Sequence, residues 1–118
     1  MARSIRTKAL AITRKTKEAV FKRQNGRSIF APYQNISVEE CCCHFVPRSK
    51  GGLGIEENIF GCSQEQHRLF DGNIIISPGK SEEIQRIREK MKNEVVNHLK
   101  DNYQDWNEES LIYKRFGE

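Results

Sequence analysis

The chain has 118 residues, of which only 36% are hydrophobic, so its length and composition fit one small domain with a modest core. No run is long and apolar enough for a transmembrane helix, and the polar start lacks the hydrophobic region of a secretory signal. We therefore expect a cytoplasmic protein without membrane contact. Three of the four cysteines are adjacent, which is not the spacing of a disulfide framework, so we expect reduced thiols.

The net charge of +4 is distributed unevenly along the chain. Residues 1–27 carry a net charge of +8, and the remaining residues carry −4. Such a basic block predicts a polyanionic partner, with a solvated tail of no function as the alternative. The candidate DNA-binding residues in this block are Arg14, Lys15, Lys17, Lys22, Arg23 and Arg27.

The first part of the chain predicts a helix followed by a strand. Ala, Lys, Arg and Glu are frequent over 14–24, which favours a helix there, after a less regular basic segment. Asn25-Gly26 ends the helix, because glycine accepts the left-handed geometry of a helix C-terminus. We predict a strand over 38–46, closed by Pro47, which cannot donate to a ladder.

Alternation within this strand would sort its polar side chains between two faces. Cys42 and His44 would share one face, and Cys43 would lie on the other. Three glycines then predict a flexible turn over 48–57, and residues 58–62 predict a second short strand.

A helix should begin after Ser63. Ser63 and Gln66 fit the capping-box pattern, in which each side chain satisfies a backbone N–H of the other residue. His67 and Asp71 follow at positions i and i+4, so they would lie on one face of this helix.

The last third of the chain predicts helices. Residues 73–77 hold three consecutive isoleucines and read as a buried strand or linker. Ser81 starts the longest predicted helix, and Asn107 would cap a last short helix through Tyr113. One buried face of the long helix, for packing in the core or in a homodimer, is indicated by Ile84, Ile87, Met91, Val95 and Leu99. The predicted fold class is α+β.

Two histidines and an aspartate suggest chemistry on phosphodiesters. Cleavage of such a bond needs a base that activates water and a cation that stabilises charge on the phosphate. An imidazole titrates near neutral pH, so His44 suits the base. His67 and Asp71, one helical turn apart, could bind one metal ion.

Residues 44–59 read His-Phe-Val-Pro-Arg-Ser-Lys-Gly-Gly-Leu-Gly-Ile-Glu-Glu-Asn-Ile, and residues 67–72 read His-Arg-Leu-Phe-Asp-Gly. Within them His44, Asn58 and His67 follow at intervals of 14 and then 9 residues. This stretch resembles the HNH, or ββα-metal, endonuclease family, specifically its small prophage-type members. A proline and a Gly-Gly pair between the first histidine and the asparagine make the resemblance specific.

The resemblance implies a single HNH domain over residues 1–118. A ββα-metal core at 38–71 would be flanked by the basic segment at 1–27 and by C-terminal helices at 80–116. The implied activity is metal-dependent endonuclease cleavage of double-stranded DNA, as a nick or a double-strand break, to a 3′-hydroxyl and a 5′-phosphate with little sequence preference. Genome packaging in small prophage relatives also suggests phage packaging proteins as partners.

The resemblance assigns roles to single residues. His44 matches the general base, Asn58 the asparagine that orients the site, and His67 the metal ligand on the helix. Asp71 lies where some relatives place a second helical ligand. Near the site, Arg48 and Lys50 are candidates for phosphate contacts, with solvated side chains as the alternative.

Cys43 departs from the family pattern. It lies just before the base, where many relatives have a metal-binding Asp or His. We expect Mn²⁺ or Mg²⁺ as the divalent ion, and a softer ion such as Zn²⁺ or Ni²⁺ if Cys43 is a ligand. A buried core thiol is the favoured interpretation of Cys43. A further alternative is a displaced zinc site, formed by Cys62 with at most two of the adjacent thiols Cys41, Cys42 and Cys43.

The family's structural zinc is not expected here. Relatives often hold it with two Cys-x-x-Cys pairs, and the corresponding positions are occupied by Ser28, Ala31, Ser63 and Gln66. We expect capping by Ser63 and Gln66, together with Ile29 and Phe30, to replace the zinc. The missing pairs and Cys43 also support an alternative function, a catalytically inactive, HNH-derived DNA-binding or inhibitory protein. A helical protein that dimerises through residues 84–99 is a third hypothesis.

Overall fold

The computed structural model describes residues 4–72 and 78–114. Its helices are α1 (Ile5–Leu10), α2 (Arg14–Arg23), α3 (Gln64–Asp71) and α4 (Ser81–Asn102), and its strands are β1 (Cys43–His44) and β2 (Ile59–Phe60). Short 3₁₀ turns lie at Val38–Glu40, Arg48–Lys50, Glu56–Asn58 and Glu108–Leu111. The described residues thus confirm an α+β structure. None of their helices combines the length and apolar character needed to cross a membrane.

The two strands form an antiparallel pair, with Cys43 opposite Phe60 and His44 opposite Ile59. The prediction of a strand over 38–46 was wrong in its extent, because the chain forms a 3₁₀ turn at Val38–Glu40. There the Ser37 backbone N–H donates to Glu40 Oε1 at 2.9 Å, and such local side-chain bonds compete with a strand ladder.

The second strand is also shorter than predicted. The sequence predicted a strand over 58–62, whereas the ladder holds Ile59–Phe60 alone and Asn58 belongs to the preceding 3₁₀ turn. The Asn58 backbone carbonyl still accepts from the Phe45 N–H at 2.8 Å beside the ladder, while its side chain makes the loop contacts described below. The pair is short, but its two residues per strand suffice to place His44 and Cys43.

The predicted helix over 14–24 is confirmed as α2. The Thr13 side chain accepts a hydrogen bond from the Thr16 backbone N–H at 3.1 Å, which caps the helix start. Asn25 and Gly26 end it with φ angles of 56° and 70°. The less regular segment before it contains α1, which Ser4 caps in the same way.

The predicted starts of the later helices are confirmed. Ser63 and Gln66 form the capping box of α3, with hydrogen bonds of 3.0 and 3.2 Å. The Asn107 side chain accepts from the Ser110 backbone N–H at 3.0 Å and caps the last 3₁₀ turn. The isoleucine run at 73–77 lies outside the described residues.

The predicted apolar face of α4 is buried in its second half. Met91, Val95 and Leu99 are buried, whereas Ile87 is 38% exposed. The β1–β2 pair separates two hydrophobic clusters because its side chains alternate between faces. Cys43 and Phe60 pack with α3 and α4 on one side, and Ile59 packs with Val20 of α2 on the other.

The glycine-rich loop between the strands is fixed by backbone contacts on two sides. The Gly54 N–H donates to the Ala9 carbonyl of α1 at 3.0 Å, and the Leu53 N–H donates to the Leu111 carbonyl at 2.8 Å. A Cβ atom on Gly54 would lie 2.1 Å from the Ala11 carbonyl oxygen. Glycine at this position therefore permits the close approach that brings the end of α1 to β1.

Candidate functional site

A cleft of about 1170 Å³ contains most of the residues to which the sequence assigned chemistry. Its lining comes from all four helices, from β1 and from the turn at Arg48–Lys50. His44 lies in this lining together with His67 and Asp71, which follow it by 23 and 27 residues in the sequence. Cys43 and Asn58 are buried close behind it.

His44 is half-buried on β1 and is held by the N-terminal helix. Its Nε2 atom lies 3.0 Å from the Leu10 carbonyl oxygen. Burial lowers the pKa of His44, although its hydrogen bond to Leu10 acts in the opposite direction. A carbonyl oxygen can only accept a hydrogen bond, so Nε2 carries the ring proton and Nδ1 keeps a free lone pair in the neutral imidazole.

Asn58 is fully buried and fixes the loop that follows His44. Its Oδ1 atom accepts from the Val46 N–H at 2.8 Å, and its Nδ2 atom donates to the Val46 and Leu53 carbonyls at 3.2 and 2.8 Å. Every polar atom of the side chain is thus used within the protein. These hydrogen bonds tie Asn58 to both sides of the loop between β1 and β2.

Cys42, Cys43 and His67 form a group that could hold a metal ion. Their ligand atoms all lie within 4.8 Å of one another. Cys42 and His67 are half-buried and line the cleft, while Cys43 is 1% exposed and its Sγ atom lies 3.5 Å from that of Cys62. Two thiols and an imidazole are established ligands of divalent metals, so these residues fit such an ion.

The two neighbouring thiols differ in acidity. A hydrogen bond with Cys43 lowers the pKa of Cys42 to about 6, with further lowering by His67 and Lys17 against the opposing effect of burial. The pKa of Cys43 is raised by its hydrogen bonds with Cys42 and Cys62 and by burial. In the metal-free protein Cys42 is therefore the thiol that ionises more readily, and Cys43 would release its proton on binding a metal.

Asp71 contacts His67 directly. Its Oδ2 atom lies 2.9 Å from His67 Nε2, which suits a hydrogen bond between a carboxylate and an imidazole. Nitrogen and oxygen ligands at right angles on one ion, with bonds of about 2.1 Å, would also be about 3 Å apart. Asp71 can thus orient His67 as an outer partner or share its ion.

The positions at which the resemblance would place zinc-binding cysteines are joined by hydrogen bonds. Gln66 Oε1 accepts from Ser28 Oγ at 2.5 Å and from the Ser63 N–H at 3.0 Å. Gln66 Nε2 donates to the Phe30 and Ala31 carbonyls at 3.3 and 3.2 Å. We call Ser28, Ser63 and Gln66 the polar brace, because they tie the 28–31 segment to the start of α3.

The candidate DNA-binding residues fall into groups with different surroundings. Arg48, Lys50 and Lys17 line the cleft, and Lys17 also pairs with Glu39 at 3.0 Å. Arg14 is exposed and pairs with Glu18 and Glu39. The remaining exposed members of the set, which do not line the cleft, are Lys15, Lys22 and Arg27.

Arg23 belongs to an internal network and leaves the candidate DNA-binding set. Its guanidinium donates to the Glu56 and Ile59 carbonyls at 2.9 and 2.7 Å and to His98 Nε2 at 2.8 Å. It also donates to the Tyr103 hydroxyl at 3.0 Å. His98 is half-buried, and burial together with the nearby Arg23 charge lowers its pKa to about 4.

Four site residues escaped the sequence analysis. The alternation assumed for a strand over 38–46 put Cys42 and Cys43 on opposite faces, so Cys42 was considered only for a displaced zinc site with Cys62 and not as a partner of His67. Leu10 acts through its backbone carbonyl, which carries no sequence signal. Arg88 and Lys92 of α4 also line the cleft, on and beside the apolar face of the helix, and the sequence does not show which element that face meets.

Comparisons of the chain with protein-family models, with curated proteins and with solved structures gave no match.

Proposed function

We propose that the chain is a metal-dependent DNA endonuclease of the HNH type, in which β1, β2 and α3 form the ββα-metal unit. The observation that carries this proposal is the presence of His44, Cys42 and His67 in the lining of one cleft. A base and a metal-binding group within a single cleft are the two elements that phosphodiester hydrolysis requires.

His44 is the proposed general base. Nε2 lies 3.0 Å from the Leu10 carbonyl oxygen, which favours the tautomer with the proton on Nε2. Nδ1 is then the nitrogen that can accept a proton from water. The buried Asn58 fixes the loop after His44 and limits movement of the base. Both contacts favour a ring held in one orientation and one tautomer.

The walls of the cleft suit a polyanion. The basic side chains in its lining are Lys17 of α2, Arg48 and Lys50 of the turn after β1, and Arg88 and Lys92 of α4. The acidic side chains in the same lining are Asp71 and Glu108. This positive excess favours contacts with DNA phosphates, which bind without reading sequence.

The proposed reaction breaks the bond between phosphorus and the 3′ oxygen. His44 Nδ1 takes a proton from water, the water oxygen attacks phosphorus, and the departing 3′ oxygen takes a proton from solvent. The products are a 3′-hydroxyl and a 5′-phosphate. A bound divalent ion would stabilise the charge that develops on the phosphate and the leaving oxygen. Arg48 and Lys50 would position the phosphodiester beside the base.

A DNA-binding protein without catalysis is the second candidate. It is favoured by two contacts that occupy ligand atoms, namely Asp71 on His67 at 2.9 Å and Cys62 on Cys43 at 3.5 Å. Such contacts compete with a metal, while the basic walls of the cleft remain available to DNA.

Nicking of supercoiled plasmid tests the proposal. The protein is incubated with Zn²⁺, Mn²⁺, Ni²⁺ or Mg²⁺ and with EDTA, and DNA binding is measured in parallel. His44→Ala should lower the cleavage rate by about 10²- to 10⁴-fold, the usual contribution of a general base, and should retain DNA binding.

His98→Gln is the matched control, since His98 lies outside the cleft lining and glutamine can still accept from Arg23. Its cleavage rate should stay close to that of the unmodified protein. A band shift without metal-dependent nicking would support the second candidate. Equal cleavage by His44→Ala and His98→Gln would refute the role of His44.

A further inference from the structure

The donor set in the cleft differs from the one that Mg²⁺ requires. Mg²⁺ takes six ligands, nearly all oxygen, and is bound poorly by thiols. Among residues 4–72 and 78–114, Cys42, Cys43 and His67 are the one group of three metal-ligating side chains whose donor atoms lie within 4.8 Å. The acidic side chains in the cleft lining are Asp71 and Glu108.

The convergence of two adjacent thiols has a local cause. In a regular strand, neighbouring side chains point to opposite faces. Here the ladder begins at Cys43, and Cys42 lies in an irregular segment after the 3₁₀ turn at Val38–Glu40. Both sulfur atoms can therefore approach His67.

We propose that Cys42, Cys43 and His67 bind a zinc-class cation in preference to Mg²⁺, with a fourth ligand position open toward the cleft. Sulfur and imidazole ligands select zinc, and three protein ligands with one open position are typical of catalytic zinc sites. Cys42 and His67 line the cleft and Cys43 lies beneath them, so the open position faces the substrate side. The catalytic use of this ion rests on the proposed endonuclease function, whereas its binding does not.

Cys62 and Cys41 are the rival thiols. Cys62 Sγ lies 3.5 Å from Cys43 Sγ, and both atoms are in the core cluster. Cys41 is buried in the other cluster, with its Sγ atom 3.8 Å from the Ser37 carbonyl oxygen. Neither lies in the group that contains His67, so the assignment can be tested thiol by thiol.

Titration of the metal-free full-length protein with Co²⁺, under a phosphine reductant, tests the proposal. We expect saturation at one equivalent, with thiolate-to-cobalt charge-transfer absorption and the intense visible bands of a tetrahedral ion. Zn²⁺ should displace Co²⁺ stoichiometrically, while about a 1,000-fold excess of Mg²⁺ should not. Absence of charge-transfer absorption, or displacement by Mg²⁺, would overturn the inference even without any variant.

Variants then identify the ligands. Cys42→Ser should lower the charge-transfer absorption to about half, because one of two thiolates is lost, and should weaken zinc binding by more than about tenfold. Cys41→Ala and Cys62→Ala, checked for folding by circular dichroism, should leave the absorption unchanged. A loss in Cys62→Ala with none in Cys42→Ser would contradict the assignment.

His67→Gln provides a second route if Cys42→Ser does not fold. It should keep the charge-transfer absorption and weaken zinc binding by more than about tenfold, and unchanged affinity would contradict the inference. The plasmid assay separates the two proposals. Zinc binding without nicking would refute the nuclease alone, whereas Mg²⁺-dependent nicking by a protein that does not bind Zn²⁺ or Co²⁺ would refute the metal assignment alone.

Discussion

Two neighbouring side chains of α3 are used in opposite ways. Gln66, at the start of the helix, belongs to the polar brace with Ser28 and Ser63, which uses its hydroxyl and amide groups in hydrogen bonds within the protein. The next residue, His67, lies with Cys42 and Cys43 in a second group, whose donor atoms are within 4.8 Å of one another and could hold a metal ion.

The difference follows from the chemistry of the side chains. A buried amide or hydroxyl without a partner costs about 1–3 kcal/mol, so the brace must be complete for the fold to be stable. A thiol is a weak donor that behaves as a small hydrophobic group, so it tolerates burial without strong partners. The brace therefore serves stability, whereas the thiols and His67 form a group that could hold a metal ion.

Removal of the brace should give the largest effect. Gln66→Ala leaves Ser28, which is 3% exposed, and the Ser63 N–H without their acceptor and deletes the capping box. We expect the free energy of unfolding to fall by about 3 kcal/mol. Urea denaturation of the metal-free protein measures it. Gln64→Ala, an exposed neighbour on the same helix, is the control, and an equal loss in both variants would show that the brace is not stabilising.

The brace also shows what the sequence could predict. The capping box of Ser63 and Gln66 was predicted because its signal spans only four residues. The bond from Ser28 to Gln66 joins positions 38 residues apart, and only the folded chain brings them together. Local patterns thus gave the helix starts, whereas the partners that complete the brace depend on tertiary packing.

The candidate site was likewise predicted in part, by its local sequence pattern and not by its tertiary contacts. His44, Asn58 and His67 could be selected from their spacing, and the structure brings His44 and His67 into one cleft. The strand over 38–46 was too long, because the sequence analysis missed the 3₁₀ turn that the Ser37 bond to Glu40 favours. That error hid the grouping of Cys42 and Cys43 with His67, because a regular strand would place the two thiols on opposite faces.

Zinc should produce the next largest effect on stability, and this effect should depend on the group of Cys42, Cys43 and His67. At a free concentration about 100 times the dissociation constant, a ligand that binds only the folded state adds about 2.7 kcal/mol to the free energy of unfolding. We expect this gain in the unmodified protein and in Gln66→Ala, and its loss in Cys42→Ser. Thermal unfolding with and without Zn²⁺ measures it. The same gain in Cys42→Ser would place zinc elsewhere.

Acid should destabilise the metal-free protein through His98, which lies on α4 and belongs to neither the polar brace nor the group of Cys42, Cys43 and His67. The folded protein lowers the pKa of His98 from 6.5 to about 4, so the unfolded chain takes up a proton first. Stability is then complete above pH 6.5, falls as the pH drops toward 4, and changes no further through this group below 4.

The expected loss from His98 is about 1–2 kcal/mol. The full shift corresponds to about 3 kcal/mol, and solvent screening of a half-buried group reduces it. Urea denaturation at several pH values, with His98→Gln as the comparison, isolates this contribution. If both proteins lose stability equally between pH 6.5 and 4, another group is responsible.

The smallest expected effect is on the salt dependence of DNA binding. It should differ between a basic side chain that lines the cleft and one that is paired with acidic side chains. Lys92 lines the cleft from α4, whereas Arg14 lies outside that lining and pairs with Glu18 and Glu39. If Lys92 contacts a phosphate, Lys92→Gln should reduce the slope of log affinity against log salt by about 1, because one counterion fewer is released. Arg14→Gln should leave the slope nearly unchanged, since its charge is already compensated within the protein.

Fluorescence anisotropy with a short duplex at several salt concentrations measures both slopes. A larger change in Arg14→Gln than in Lys92→Gln would move the DNA-binding surface from the cleft to the exposed face of α2, and His44 would then lie away from the phosphates that it is proposed to hydrolyse.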